Sequence, residues 1–209
     1  MNFLRRPFRY RNDNIVYVLI GLNIAVFFAS SFLHLPLVYL FSMVPGLVAG
    51  RGWIWQFATY MFVHGSLSHL IFNMFALFVF GFQVERRMGS REFILFYMVT
   101  GILAGFFSFI VYALSGNWRI FLMGASGAIF AVQLAYASLF PDSVIYIWGI
   151  LPLRAPVMVL VFTALEIFSI ITGMGGNVAH FTHLAGFAFG WIYFLVRFGI
   201  NPWDSLTRR

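Results

Sequence analysis

The chain has 209 residues, of which 62% are hydrophobic and 9% are charged. Soluble globular domains are nearer to ~45–50% apolar and ~25% charged, so this composition excludes a soluble enzyme, a soluble DNA-binding domain and a disordered segment. The net charge of +7 comes from 13 basic residues, all of them Arg. In a membrane protein this pattern indicates cytoplasmic anchoring and contact with anionic lipids rather than nucleic-acid binding. Cysteine is absent, which excludes disulfides and thiolate chemistry.

Apolar runs of about 20 residues, enough to cross a bilayer, predict an all-α polytopic membrane protein with six transmembrane helices. The predicted spans are 15–33, 66–84, 93–114, 126–140, 156–172 and 179–198. They form a core over 14–198, between a basic N-terminal segment, 1–13, and a C-terminal tail, 199–209. The mixed segment 34–62 contains a Trp pair with several Gly and Pro residues, which predicts an interfacial first loop with short amphipathic pieces.

The arginines predict how these spans are oriented. Six spans put both termini on one side of the membrane, and that side holds eleven arginines. The other side holds only Arg51 and Arg119. Because positive charge is enriched in cytoplasmic loops, both termini are predicted to lie in the cytoplasm.

Polar residues within the spans are concentrated at one depth. Unpaired polar groups are costly in lipid, so such residues are functional candidates. In the predicted topology the second, fourth and sixth spans begin on the non-cytoplasmic side. At ~1.5 Å rise per residue their polar groups lie within about 10 Å of one level. These residues are His64, Ser66, Ser68, His69, Asn73, Ser126, His180 and His183. The pattern predicts a polar cavity that is open to the outside.

Two of these residues can form a nucleophile and its base. Ser126 lies in Gly124-Ala125-Ser126-Gly127, where small neighbours let a substrate approach and a helix N-terminus favours negative charge. His183 shares one helix face with Gly186 and Gly190, and glycines at this spacing permit close helix contact. A Ser–His pair brought together in this way is the minimum for nucleophilic acyl transfer. The alternatives are a capping serine and a histidine bonded to a backbone carbonyl.

The second span supplies further candidates. His69 and Asn73 are four residues apart on one helix face, and both can donate hydrogen bonds to an oxyanion. The alternative is hydrogen bonding that holds the helix bundle together. His64 lies in the preceding loop, where it can support the site.

A metal site is the competing interpretation of the histidines. His180-x-x-His183 has a suitable spacing, with His64 and His69 as further ligands. No carboxylate lies nearby on these helices, and Ser126 would be left without a role. The sequence therefore predicts neither a metal nor another cofactor. Glu166 is the one acid inside a predicted span, and a hydrogen bond to a neighbouring helix is favoured over a catalytic role.

Four motifs, in order along 14–198, resemble those of the rhomboid family of intramembrane serine proteases. They are His64-Gly65-Ser66-Leu67-Ser68-His69-Leu70-Ile71-Phe72-Asn73, Gly81-x-x-x-Glu85-Arg86-x-x-Gly89-Ser90, Gly124-x-Ser126-Gly127 and His183-x-x-Gly186-x-x-x-Gly190. The resemblance implies a serine endopeptidase that cleaves membrane-spanning segments of other proteins. The simple six-span form implies the bacterial cytoplasmic membrane.

Carried over by motif position, the resemblance implies that Ser126 is the nucleophile and His183 the base, as a dyad without a carboxylate. It implies an oxyanion site formed by the backbone N–H of Ser126 with His69 and Asn73, and a supporting role for His64. The resemblance also implies that the fifth span and the glycine-rich segment 173–179 form the lateral gate and cap through which a substrate helix enters. Gate opening is then a further alternative role for Glu166, which lies on the fifth span.

The chain departs from the family pattern at a few positions. Trp55-Gln56 replaces a frequent Trp-Arg, and Phe130 replaces a frequent Tyr. A Phe ring can still pack on the His183 imidazole, although it offers no hydroxyl. His180 is an additional imidazole, interpreted as a polar wall of the cavity.

Two other functions compete with proteolysis. A rhomboid-like protein that binds membrane clients without cleaving them typically lacks the nucleophile or the base, whereas Ser126 and His183 are both present. A transporter would need polar groups that continue to the cytoplasmic side, but the inner halves of the second, fourth and sixth spans are almost purely apolar. The expected partners are therefore transmembrane protein substrates and membrane lipids.

Overall fold

The computed structural model describes residues 5–33, 35–147, 149–173 and 177–207. Within them, five helices are long and apolar enough to cross a membrane, and a sixth apolar helix is shorter. The helices are α1 (Ile15–Phe32), α2 (Leu37–Phe41), α3 (Pro45–Arg51), α4 (Gln56–Thr59), α5 (Leu67–Ala76), α6 (Phe82–Met88), α7 (Ser90–Leu114), α8 (Ser126–Leu139), α9 (Ala155–Thr172), α10 (Asn177–Tyr193) and α11 (Pro202–Leu206). The prediction of an all-α polytopic membrane protein is confirmed.

Two of the long membrane helices are composite. A π-helical turn, Leu77–Gly81, joins α5 to α6, and another, Phe194–Phe198, continues α10. The fourth predicted span corresponds to the short helix α8. Residues 1–4, 34, 148, 174–176 and 208–209 lie outside the described residues, so the predicted glycine-rich gate segment 173–179 is described only in part.

A buried carboxylate caps the first membrane helix. The Glu85 oxygens accept hydrogen bonds from the backbone N–H groups of Ile15 at 2.7 Å and Val16 at 2.9 Å. The Ser90 hydroxyl donates to the same carboxylate at 2.5 Å. The N–H groups in the first turn of a helix have no partners within that helix, and the helix dipole favours negative charge there. The motif from Glu85 to Ser90 therefore joins α1 to the turn between α6 and α7.

The short helix α8 lies at the centre of the bundle. Ten of its 14 residues are buried, because α7 and α10 pack against it and small or apolar side chains surround it. A Cβ atom at Gly186 would overlap the carbonyl oxygen of Gly127. One at Gly190 would lie 3.1 Å from the Ala131 Cβ. Helices α8 and α10 thus meet backbone to backbone, as small residues allow.

A β-hairpin joins α8 to α9. Strands β1 (Val144–Ile147) and β2 (Leu151–Arg154) pair antiparallel, with Val144 opposite Arg154. The apolar pattern of the sequence predicts no strand in this segment. The strands contain β-branched residues and the turn contains Gly149, at φ 72°, both of which suit a short hairpin.

The loop that leads into α8 is held by the first loop. Met43 and Leu122 form an isolated β-bridge. The Gly124 N–H donates to the Tyr60 carbonyl at 2.9 Å. Gln56 stabilises the first loop in turn, because its side-chain oxygen accepts from the Val44 N–H at 3.0 Å. These bonds determine where the N-terminus of α8 lies.

Candidate active site

Ser126 and His183 are hydrogen-bonded to each other. Ser126 is the first residue of α8, and His183 lies in the second turn of α10. The distance from Ser126 Oγ to His183 Nε2 is 2.8 Å, which is an ordinary hydrogen-bond length. The close approach of the backbones at Gly127 and Gly186 brings the two side chains within reach.

A carboxylate from α9 contacts two imidazoles of α10. Glu166 Oε1 lies 3.0 Å from His183 Nδ1, and Oε2 lies 2.5 Å from His180 Nδ1. The three side chains are 13–18% exposed. An ionised carboxylate can only accept hydrogen bonds, so each Nδ1 carries a hydrogen. Nε2 of neutral His183 is then unprotonated and accepts the Ser126 hydroxyl hydrogen.

Phe130 lies flat against the His183 ring. Their ring centroids are 4.3 Å apart and the planes differ by 9°. Phe187 and Phe162 approach Phe130 with centroid distances of 5.0 Å and 6.4 Å. Ser126 and Glu166 contact the edge of the imidazole while Phe130 covers one face, so the orientation of the ring is restricted on three sides.

The predicted oxyanion residues lie on α5, beside the segment that precedes Ser126. Gly124 has φ 116°, a backbone conformation that favours glycine. A Cβ there would lie 2.7 Å from His69 Nε2, so the ring of His69 lies against this glycine. The Asn73 amide donates to the His69 carbonyl at 2.8 Å. An amide has two hydrogens, and this bond uses one of them.

His64 is buried beside His69. His64 is 3% exposed, and the ring centroids of His64 and His69 are 5.0 Å apart. Neither ring nitrogen of His64 has a hydrogen-bond partner among the described residues. Burial, and to a smaller extent His69, lowers the pKa of His64 to about 3. The imidazole is therefore neutral at pH 7.

The groups that could bind a metal differ from the predicted histidine set. Glu166, His180 and His183 each present a ligand atom, and these atoms lie within 4.8 Å of one another. Four ligands around zinc at ~2.0–2.1 Å are separated by ~3.3 Å. The two Glu166–imidazole distances, 2.5 Å and 3.0 Å, are shorter and correspond to direct hydrogen bonds.

The sequence favours a hydrogen bond from Glu166 to a neighbouring helix over a catalytic role, and the structure brings its carboxylate into contact with His183. The expected hydrogen bond to a neighbouring helix is present, but its partners are the two imidazoles of α10. A signal for this contact was available. A carboxylate inside a span requires a partner, and His180 and His183 lie in the same outer part of the predicted bundle.

Comparisons with known proteins agree with the motifs. The family model described as Rhomboid domain matches residues 51–200. Curated relatives include Rhomboid protease GlpG of Salmonella choleraesuis (strain SC-B67), of Salmonella paratyphi A and of Salmonella typhi. Each is 26% identical over 137 residues, which are 64% of this chain and 48% of the relative. The chain thus spans about half the length of the curated relatives it matches.

Proposed function

This chain belongs to the rhomboid family, and on that premise we propose that it is an intramembrane serine endopeptidase. Its substrates are membrane proteins, cleaved in or near their transmembrane segments. One observation carries the proposal, namely the 2.8 Å hydrogen bond between Ser126 Oγ and His183 Nε2. The curated relatives that carry the name Rhomboid protease support the same reaction class.

In the proposed reaction the Ser126 oxygen attacks the scissile carbonyl while Nε2 of His183 removes the hydroxyl proton. The imidazolium then protonates the leaving amine, and water hydrolyses the acyl-enzyme through the same base. The backbone N–H of Ser126 and the side chains of His69 and Asn73 donate hydrogen bonds to the oxyanion. The N-terminus of α8 adds favourable electrostatics at this point.

Other residues support these groups. Phe130 keeps the His183 ring in its plane through the stacked contact. His64 packs against His69 and so helps to orient an oxyanion donor. Four glycines permit the close approaches around the site: Gly124, Gly127, Gly186 and Gly190.

The distribution of the arginines supports an orientation in which both termini lie in the cytoplasm. With both termini in the cytoplasm, the first turns of α5, α8 and α10 lie towards the opposite side, and the active site opens there. A peptide bond within a formed helix is inaccessible to Ser126, so the substrate segment unwinds near this face. The family resemblance supports the bacterial cytoplasmic membrane as the location, where anionic lipids attract basic segments.

Covalent labelling of Ser126 tests the proposal. We expect a fluorophosphonate to label the detergent-solubilised protein, and we expect Ser126→Ala to remove the label completely. Cleavage of a model single-span substrate should fall at least ~10³-fold in Ser126→Ala and in His183→Ala. Ser138→Ala is the matched control, since Ser138 lies on the same helix and, among the described residues, its hydroxyl bonds only to the Leu134 carbonyl, at 2.8 Å.

Three results would contradict the proposal. Full activity of Ser126→Ala would exclude it as the nucleophile. A folded wild-type protein that is never labelled and cleaves nothing would indicate a binding protein. Loss of activity with EDTA, restored by zinc, would indicate metal-dependent hydrolysis instead.

A further inference from the structure

We propose that Glu166 is a positioning residue for the base, completing a Ser126–His183–Glu166 hydrogen-bonded chain, and that His180 holds Glu166 in place. The inference deepens the proposed protease function and rests on it. It assigns a role to a carboxylate of α9, whereas the dyad implied by the family resemblance contains no carboxylate.

The Glu166 carboxylate is shared between two imidazoles. Oxygen Oε1 contacts Nδ1 of His183 and Oε2 contacts Nδ1 of His180, at 3.0 Å and 2.5 Å. Accepting the Nδ1 hydrogen of His183 leaves Nε2 free to take the proton of Ser126. The negative charge also stabilises the imidazolium that forms during the attack, the role that a third acidic residue has in Ser-His-Asp proteases.

The environment of the Glu166–His183 pair also bears on the proton transfer. Glu166 and His183 are 13% and 18% exposed at their side chains, so little solvent can reach either group. An unpartnered imidazolium is costly in such surroundings. A carboxylate at hydrogen-bond distance therefore lowers the barrier to proton transfer from Ser126.

Helix α9 is packed tightly only in its first turns. The buried residues of this helix lie in its first turns: Ala155, Pro156, Met158 and Val159. From residue 160 to residue 172 no residue is fully buried, and one half-buried face contains Phe162, Thr163, Glu166, Ser169 and Ile170. Glu166 thus sits on the less packed half of α9, where packing alone holds it weakly. The bond from His180 supplies a second restraint on the carboxylate.

Glu166→Gln is the decisive variant, because it keeps the shape of the side chain and removes its charge. One amide group cannot accept a hydrogen at both ends, so one of the two Nδ1–H bonds is lost. We expect kcat to fall about 10- to 100-fold with KM changed less than about 2-fold. The second-order rate of fluorophosphonate labelling at Ser126 should fall in parallel, since it reports activation of the nucleophile without a substrate helix.

Two further variants keep the test decisive. Glu166→Asp preserves the charge and should recover part of the labelling rate lost in Glu166→Gln. His180→Ala should lower the labelling rate by a smaller factor, about 3- to 10-fold, because it loosens the carboxylate without removing it. Thr163→Val is the matched control on the same face of α9. Within the part of the chain that the structure describes, the Thr163 hydroxyl bonds only to the Val159 carbonyl of its own helix, at 2.8 Å.

The outcomes separate this inference from the proposed function. If the wild-type protein shows no Ser126-dependent labelling, the protease proposal fails. If wild type is labelled and Glu166→Gln is labelled at the same rate, only the positioning role is overturned. A lower melting temperature with an unchanged labelling rate would likewise reduce Glu166 to a structural contact. EDTA-sensitive activity restored by zinc would overturn the role in favour of a metal held by Glu166, His180 and His183.

Discussion

Helix α10 meets its two neighbours in different ways. Against α8 it packs backbone to backbone, and no side chain beyond hydrogen fits at Gly186. Against the outer half of α9 it is joined by the half-buried carboxylate of Glu166. The first contact determines the distance between Ser126 and His183, and the second is proposed to orient the imidazole. The distance is therefore resistant to small movements, whereas the orientation depends on the half of α9 that has no fully buried residue.

The burial along each helix supports this difference. Ten of the 14 residues of α8 are buried, so displacing α8 would disturb the whole bundle. In α9 the fully buried residues end at Val159. Close packing is lost steeply with distance, whereas a hydrogen-bonded pair can open and re-form. Helix α8 thus carries the proposed nucleophile, Ser126, and the less packed half of α9 carries Glu166, which is proposed to position the base.

The strongest way to break the tight contact is Gly186→Val. The new side chain would overlap the Gly127 carbonyl, so α8 and α10 must separate. We expect a loss of about 3 kcal/mol or more in the free energy of unfolding. Labelling of any folded fraction at Ser126 should fall by more than ~100-fold, because a shift of about 1 Å disrupts the reacting geometry. Thermal unfolding in detergent and fluorophosphonate labelling measure the two effects.

Gly21→Val is the control for this substitution. Gly21 also lies in a membrane helix, α1, but a Cβ there would meet nothing within 4 Å. Its substitution should leave the labelling rate unchanged and stability nearly so. Equal damage from the two variants would show that valine harms these helices in general, and that the close contact of α8 with α10 has no special importance.

Two alanine substitutions, at Phe187 of α10 and Phe162 of α9, compare the packing of these two helices around Phe130. Phe187 of α10 is 8% exposed, Phe162 of α9 is half-buried, and both rings approach Phe130. We expect Phe187→Ala to cost about 3–5 kcal/mol of unfolding free energy, as a buried cavity does. Phe162→Ala should cost less than about 1.5 kcal/mol, because lipid or detergent can fill the space. Unfolding in mixed micelles gives both values, and a larger loss for Phe162→Ala would reverse the comparison.

The close contact of α8 with α10 could be predicted from the sequence because the residues that determine it lie near one another in the chain. His183, Gly186 and Gly190 recur at helical spacing, and small residues also flank Ser126. Such spacing specifies which face of a helix approaches its neighbour. Composition and apolar length were likewise enough for the fold class, since the bilayer sets the length of a span.

The contact of α10 with α9 could not be predicted from residue spacing in the same way. Glu166 and His183 are 17 residues apart in the chain, and their contact depends on the rotation of α9 about its axis. No apolar pattern specifies that rotation when half of the residues of α9 are exposed. The β-hairpin between α8 and α9 was missed for a related reason. Its few β-branched residues resemble the ends of apolar helices, and only the backbone pairing distinguishes them.

Two histidines show the same difference between packing and polar contact, and one of them makes stability depend on pH. His180 is paired with Glu166, whereas His64 is buried by packing and has no partner at either ring nitrogen among the described residues. Burial, with His69 nearby, lowers the pKa of His64 from 6.5 to about 3. Between these values the unfolded chain binds a proton that the folded chain does not, so acid favours unfolding.

The stability that depends on neutral His64 is fully present above pH 6.5 and is lost as the pH falls towards 3. The loss per pH unit in that window is about 1.4 kcal/mol. Lowering the pH from 7 to 5.5 should therefore cost about 1 kcal/mol, or about 2–4 °C in melting temperature. His64→Leu removes the titrating group, and its melting temperature should depend less on pH by this amount. Identical pH dependence in the two proteins would mean that His64 accepts its proton in the folded state, with water or a rearranged partner beside it.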